Sequence, residues 1–270
     1  MALALKRARS NLQIFWDGAY LSYIALFHWL QPMTYLASKI VMPLAQLMFF
    51  SLLGSYATGA SSLSFYVIGN AIQLTAVNGI FGVTFSIGGD RNEGTLPYLF
   101  ATPANRFVLF VGRAFMHILD GMLGIVVGLT WGVLLLGLDL SKTNPLALAL
   151  IILVTTFSTS GLGLLLGCTS LMTLNAIFIN NTFYFVLLIF SGANLDLATM
   201  PVWIQTISRF LPLSRGITAA RRVIAGAPLG DVWLLIFHEF LIGVAYVLVG
   251  YTMFRAFEYQ AKRRGTLEAI

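Results

Sequence analysis

Arg113, His117 and Asp120 follow one another at intervals of four and three residues within a long apolar run. At 3.6 residues per turn these intervals place all three on one face of a helix. An ionisable group in a lipid-facing run costs several kcal/mol, so it marks either a proton relay or a substrate contact, or else an internal ion pair or a side chain snorkelling to the interface. Glu239, beside His238 in a second apolar run, poses the same question. Asn175, Asn180 and Asn181 suit hydrogen bonds that hold one apolar helix to another.

Other chemistry is excluded by spacing. A phosphate-cradling loop needs glycines that let backbone N–H groups approach the anion. The nearest approach, Ser141-Lys142-Thr143, lacks them and lies in a short turn. His28, His117 and His238 occupy three different segments, and no His or Cys pair has ligand spacing, so neither a metal centre nor a nucleophile–base pair is expected. Cys168 is the one cysteine, which rules out a disulfide framework and reads as a small buried hydrophobe.

The elements that position these residues are apolar to an unusual degree. Of 270 residues 58% are hydrophobic and only 10% charged, with mean hydropathy +0.86, against about 25% charged in a soluble domain. A helix crosses a bilayer with about 20 apolar residues. Six such runs are predicted: Met33–Leu53 with a kink at Pro43, Leu63–Ile87, Phe107–Leu138, Pro145–Ser170, Ala176–Phe190 and Val232–Phe254. No room is left for a soluble domain. The expectation is an all-α membrane protein of six transmembrane helices preceded by an N-terminal interfacial helix, with a re-entrant helical hairpin before the last span.

The interfacial helix is expected within residues 1–31, ahead of a permease domain over 32–270. The segment is rich in aromatics, Phe15, Trp16, Tyr20, Tyr23, Phe27 and Trp29, and Ser10, Gln13, Asp17 and His28 fall on one narrow polar stripe, which Leu21 and Ile24 interrupt. A polar-interrupted seventh span is the other reading of the segment, and the N-terminus is read as mature because Asn11, Gln13 and Asp17 break what would be a leader's apolar core. The stretch 191–231 is too long for a turn and too apolar for a free loop. Thr199 with Pro201 signals one short helix, Ser214 another and Gly226 a stop, hence the hairpin.

The 16 Lys and Arg against 10 Asp and Glu sit at helix ends, which points to topology and anionic lipid instead of nucleic acid. With the N-terminus inside, Lys6, Arg7, Arg9, Arg91, Arg106, Arg113, Arg255, Lys262, Arg263 and Arg264 fall on one side. Lys142, Arg209, Arg215, Arg221 and Arg222 fall on the other, and Lys39 is undecided. The excess favours a multi-pass protein of the cell membrane with both termini cytoplasmic. Four arginines outside require a reason beyond topology.

One cytoplasmic connection, about 91–106, is no ordinary loop. In Arg91-Asn92-Glu93-Gly94-Thr95-Leu96-Pro97-Tyr98-Leu99-Phe100-Ala101-Thr102-Pro103, Thr95 is the expected N-cap, Pro97 fits a first turn and Pro103 ends a short helix with Leu96, Leu99 and Phe100 on one face. Such a face in the cytosol calls for a partner's groove. The segment resembles the signature of ABC type-2 exporter permeases, a Glu, then Gly-Thr-Leu-Glu, apolar residues and Thr-Pro, matched here by Glu93, Gly94, Thr95, Leu96, Leu99, Thr102 and Pro103, with Pro97 in place of the second Glu. Leu211-Pro212-Leu213 followed by Arg221 is similar to the family's outer re-entrant stretch, without its usual Tyr. Gly265-Thr266-Leu267-Glu268 repeats part of the signature beyond the last span and is taken as coincidence.

The resemblance implies a transport subunit, itself no enzyme and free of cofactors, whose coupling helix (Glu93, Gly94, Thr95, Leu96, Leu99, Phe100, Thr102, Pro103) sits in a cleft of a separate ATP-binding subunit that holds ATP and Mg. It implies pairing with a second copy or a similar permease, and an amphiphilic or lipid-linked substrate such as a drug, lipid or glycan. The residues read alone leave open a proton-coupled secondary transporter using Asp120 or Glu239. An intramembrane enzyme is disfavoured by the missing nucleophile–base pair.

Overall fold

A computed structural model describes residues 2–29, 32–102, 105–171, 173 and 175–264. The regular structure among them is entirely helical: α1 (Ala2–Trp29), α2 (Pro32–Thr58), α3 (Leu63–Gln73), α4 (Val83–Asn92), α5 (Leu96–Ala101), α6 (Arg106–Leu136), α7 (Pro145–Ser170), α8 (Ala176–Phe190), α9 (Val202–Phe210), α10 (Ser214–Ile224) and α11 (Leu229–Arg264). Among the described residues five stretches are long and apolar enough to cross a membrane: Met33–Thr58, Ala60–Arg91, Arg106–Leu136, Pro145–Ser170 and Leu229–Gln260. The remaining expected span, α8, has 15 residues, about 22 Å at 1.5 Å per residue against a hydrocarbon core of about 30 Å.

Local chemistry sets the boundaries. The Asn144 side chain accepts the N–H groups of Leu146 and Ala147 while Pro145 occupies the first helical position, so α7 starts where the sequence places it. Asn105 caps α6 through the N–H of Val108, and Gly137, at φ 66°, ends it. The second span is interrupted as periodicity did not foresee: Val77–Gly82 is a π-helical segment between α3 and α4. Here Gly79 and Gly163 of α7 meet so closely that a methyl on Gly163 would strike the Gly79 carbonyl.

Helix α7 is the central pillar, packing against α4, α6, α10 and most extensively α11. Its run Thr155-Thr156-Phe157-Ser158-Thr159-Ser160 keeps all five hydroxyl residues buried. Ser158 and Thr159 return their hydroxyls to the Thr155 carbonyl, a bond that satisfies Thr159 within its own helix. Helix α1 lies along the first half of α6, with the rings of Phe15 and Trp16 against Phe115. Its partner in the bundle was not legible in the polar stripe, of which Ser10, Gln13 and Asp17 are exposed. The side chains of His28 and of Lys6 to Arg9, and the whole of Gly265 to Glu268, lie outside what the structure describes.

Candidate functional site

The segment around α5 is fastened to the bundle by three arginines. Arg113 of α6 donates to Asp90 at 2.6 Å and to the Ser86 carbonyl at 2.7 Å. Arg91 reaches the Leu171 carbonyl at the end of α7. Arg106 donates to the carbonyls of Leu99 and Thr102 and is ion-paired with Glu258 of α11. Thr95 occupies the N-cap position of α5, but its hydroxyl turns back to the carbonyl and carboxylate of Asp90 and caps nothing. Gly94, at φ 69°, makes that reversal possible.

Two residues of the apolar face of α5, Leu96 and Leu99, turn toward the bundle. Leu96 is 4% exposed and Leu99 packs beside it on Val83, Ile87, Phe110, Phe254 and Phe257. The face turned to solvent carries Glu93, Gly94, Thr95, Ala101 and Thr102, with Tyr98 at 76% exposure. The Phe100 side chain and Pro103 lie outside the described residues. An amphipathic stripe shows that a helix has an apolar side, not whose core receives it. Tyr98 was the available signal, the aromatic off the Leu96–Leu99 stripe.

At the opposite end, the stretch 191–231 forms the two short helices α9 and α10, starting after Pro201 and at Ser214, with Gly226 at φ 99° beyond them. Leu211 and Leu213 are buried beside Pro212 in the turn between them, and Leu213 has φ 78°, the one non-glycine residue with positive φ among those described. Its N–H donates at 2.7 Å to Glu239 of α11, which also accepts from Ser158. Arg221 is one of the arginines expected outside, and the structure gives it a reason to be kept. It donates to the carbonyls of Phe65, Gly192 and Ala193 at 2.9–3.2 Å, with its guanidinium 3.4 Å from the centre of the Phe65 ring. Arg215 likewise donates to the Arg209 carbonyl. Arg222, expected to be held with Arg221, is exposed.

With both ends in view, a family model for the ABC-2 type transporter matches residues 21–225. The chain belongs to the ABC-2 type transporter family. It is therefore a membrane-spanning transport permease. No curated protein matches the chain.

Within this permease the α6 residues predicted to act together go to separate partners. Arg113 serves Asp90, as above. His117 is buried with Nε2 3.4 Å from the Ser22 hydroxyl, its ring against Gly82. Asp120 is ion-paired with Lys39 of α2 and accepts the Tyr35 hydroxyl at 2.7 Å, while Lys39 also donates to Asn78 of the π segment at 2.9 Å. Lys39, unassigned by topology, is thus the partner Asp120 requires; Lys39 and Tyr35 lie some 80 residues away in sequence, which spacing arguments do not reach. His238 is exposed while Glu239 faces inward, so these neighbours form no relay. Asn180 is buried with neither side-chain atom paired, and Asn175 and Asn181 are exposed; no interhelical bond from them is seen among the described residues. Among those residues no group of His, Cys, Asp or Glu is placed to hold a metal.

Proposed function

We propose that this permease is the transmembrane half of an ATP-driven exporter, energised by a separate ATP-binding subunit that carries the ATP and Mg, and paired with a second copy or a similar permease. The observation that carries this reading is family membership over residues 21–225, a match that includes the Glu93–Pro103 segment. The proposed topology has six spans, α8 being the short one, with both termini in the cytoplasm of a cell-membrane protein. Two features support it. Ser10, Asn11, Asn105, Arg106, Phe107, Phe254, Arg255 and Glu258 line one cleft, while Phe65, Gly192 and Arg221 meet elsewhere and Gly226 lies near Lys142. Arg106 and Arg255 thus share one cluster and Arg221 and Lys142 belong to others, as the proposed sidedness requires. Above α8, the α9–α10 hairpin would supply the protein that a 15-residue helix cannot.

Helix α5 is the proposed coupling element, with Glu93, Gly94, Thr95, Tyr98 and Thr102 meeting the ATPase. Leu96 and Leu99 root it in the permease, and the three arginines pass its motion to α6, α7 and α11. A substrate that is amphiphilic or lipid-linked, a drug, lipid or glycan, fits an apolar bundle with small buried hydroxyls. The rival, proton coupling through Asp120 or Glu239, is disfavoured because each carboxylate already holds a backbone or ionic partner in place.

The test is reconstitution with the candidate ATP-binding subunit. The isolated chain hydrolyses no ATP, and the pair does so in response to substrate. Tyr98→Ala removes an interface aromatic typically worth about 2 kcal/mol or more, roughly a thirtyfold loss of association, with insertion and folding unchanged because the ring lies outside the core. Hydrolysis and transport that survive Tyr98→Ala at full rate and at limiting ATPase overturn this assignment of the contact.

A further inference from the structure

A cavity of about 620 Å3 opens between α1, the start of α6 and the end of α11. Its size is that of a small-molecule site, and its lining is of two kinds. Asn11, Arg106, Arg255 and Glu258 are polar; Ile14, Phe107 and Tyr251 are apolar, the last two in ring contact at 4.7 Å. Glu258 serves two guanidinium groups, Arg106 and Arg255, the latter at 3.1 Å. Arg106 is committed to the carbonyls of Leu99 and Thr102, whereas the Arg255 side chain is 62% exposed. Arg255 therefore brings a positive charge with donors to spare to a cavity lined by both polar and apolar side chains.

We infer that this cleft binds the phosphate headgroup of an anionic phospholipid, with Arg255 and Asn11 on the phosphate and the upper acyl chain along Ile14, Phe107 and Tyr251. A free anion would use only the polar side chains; a lipid, polar and apolar within a few ångströms, matches both kinds. The position agrees, since the cleft lies toward the ends of α6 and α11, two helices long and apolar enough to cross a membrane. Arg263, exposed two turns further along α11, extends the same positive strip. A headgroup on Arg255 draws on the same Glu258 network that holds Arg106, and through Arg106 it reaches the end of α5. Lipid composition is thereby read at the coupling element. The inference rests on the topology proposed above for its cytoplasmic location, but binding itself does not.

Native mass spectrometry of the purified full chain with phosphatidylglycerol or phosphatidylcholine tests it without any ATPase, so its failure is distinguishable from failure of the exporter reading. Phosphatidylglycerol is expected to be retained in preference. Arg255→Gln is expected to weaken that retention about fivefold, the factor one basic group contributes at an anionic surface, while Lys142→Gln at the other end of the bundle leaves it unchanged. Equal retention of both lipids, an unaltered Arg255→Gln protein, or an equal loss with Lys142→Gln overturns the site. Displacement of phosphatidylglycerol by millimolar inorganic phosphate identifies the ligand as a free anion and overturns the lipid assignment.

Discussion

Glu239 holds the turn between α9 and α10 by accepting one backbone N–H, and the consequence can be measured. Leu213 has φ 78° and ψ −38°, a sparsely populated conformation that costs a non-glycine residue about 1–3 kcal/mol, and its N–H is buried against the carboxylate. Glu239→Ala leaves that donor without a partner, at about 1–3 kcal/mol, which lowers the ratio of docked to undocked hairpin roughly five- to 150-fold. Ser158 loses the same acceptor but keeps its bond to the Thr155 carbonyl, so the loss falls on Leu213. The readout is a cysteine at Ala219, fully buried in α10, with exposed Ala225→Cys as the freely reacting reference; native Cys168 is buried and silent. Modification at position 219 by a membrane-permeant thiol reagent is expected to accelerate by at least fivefold in Glu239→Ala. In Glu239→Gln, which keeps a carbonyl acceptor, it stays within a fewfold of the parent. Equal acceleration in both variants would show that the negative charge matters and not the acceptor, and an unchanged rate in Glu239→Ala would refute the argument outright.

Two further outcomes follow from the polar contacts. Lys39→Ala strands Asp120 in the bundle and is expected to destabilise the permease by about 3–5 kcal/mol; Lys39→Ala with Asp120→Ala recovers much of that, read from the thermal midpoint in detergent, whereas a proton carrier would lose transport and keep its stability. Arg221→Lys cannot reach the carbonyls of Phe65, Gly192 and Ala193 together or stack on the Phe65 ring; a lowered thermal midpoint and faster modification of a cysteine at Ala219 are expected.

How far the sequence carried depended on whether a feature was local. Asn144 with Pro145, Gly137 and Ser214 act on their own neighbours, so α7 and α10 begin and α6 ends close to where they were expected. The two short helices α9 and α10 were legible for the same reason, since Pro201 and Gly226 are backbone signals. What joins distant segments was not. Lys39 with Asp120, Arg106 with Glu258 and Leu213 with Glu239 each bring together residues that no spacing relates. The face of α5 was legible only in part: Leu96 and Leu99 were recognised as a stripe, but a stripe carries no record of which side solvent occupies. The π segment was invisible because its residues, Val77 to Gly82, are ordinary helix-compatible residues whose winding is decided by the close approach at Gly163.

That segment also makes the second span two levers instead of one rod. On one side of it α3 packs on α2 and α6; on the other α4 packs chiefly on α7, and the π turn touches both α6 and α7. A displacement of α4 is passed to the pillar α7, and only across the joint to α3. The two ends of a single hydrophobic run thus answer to different neighbours, so movements of the α3 and α4 ends need share neither direction nor size.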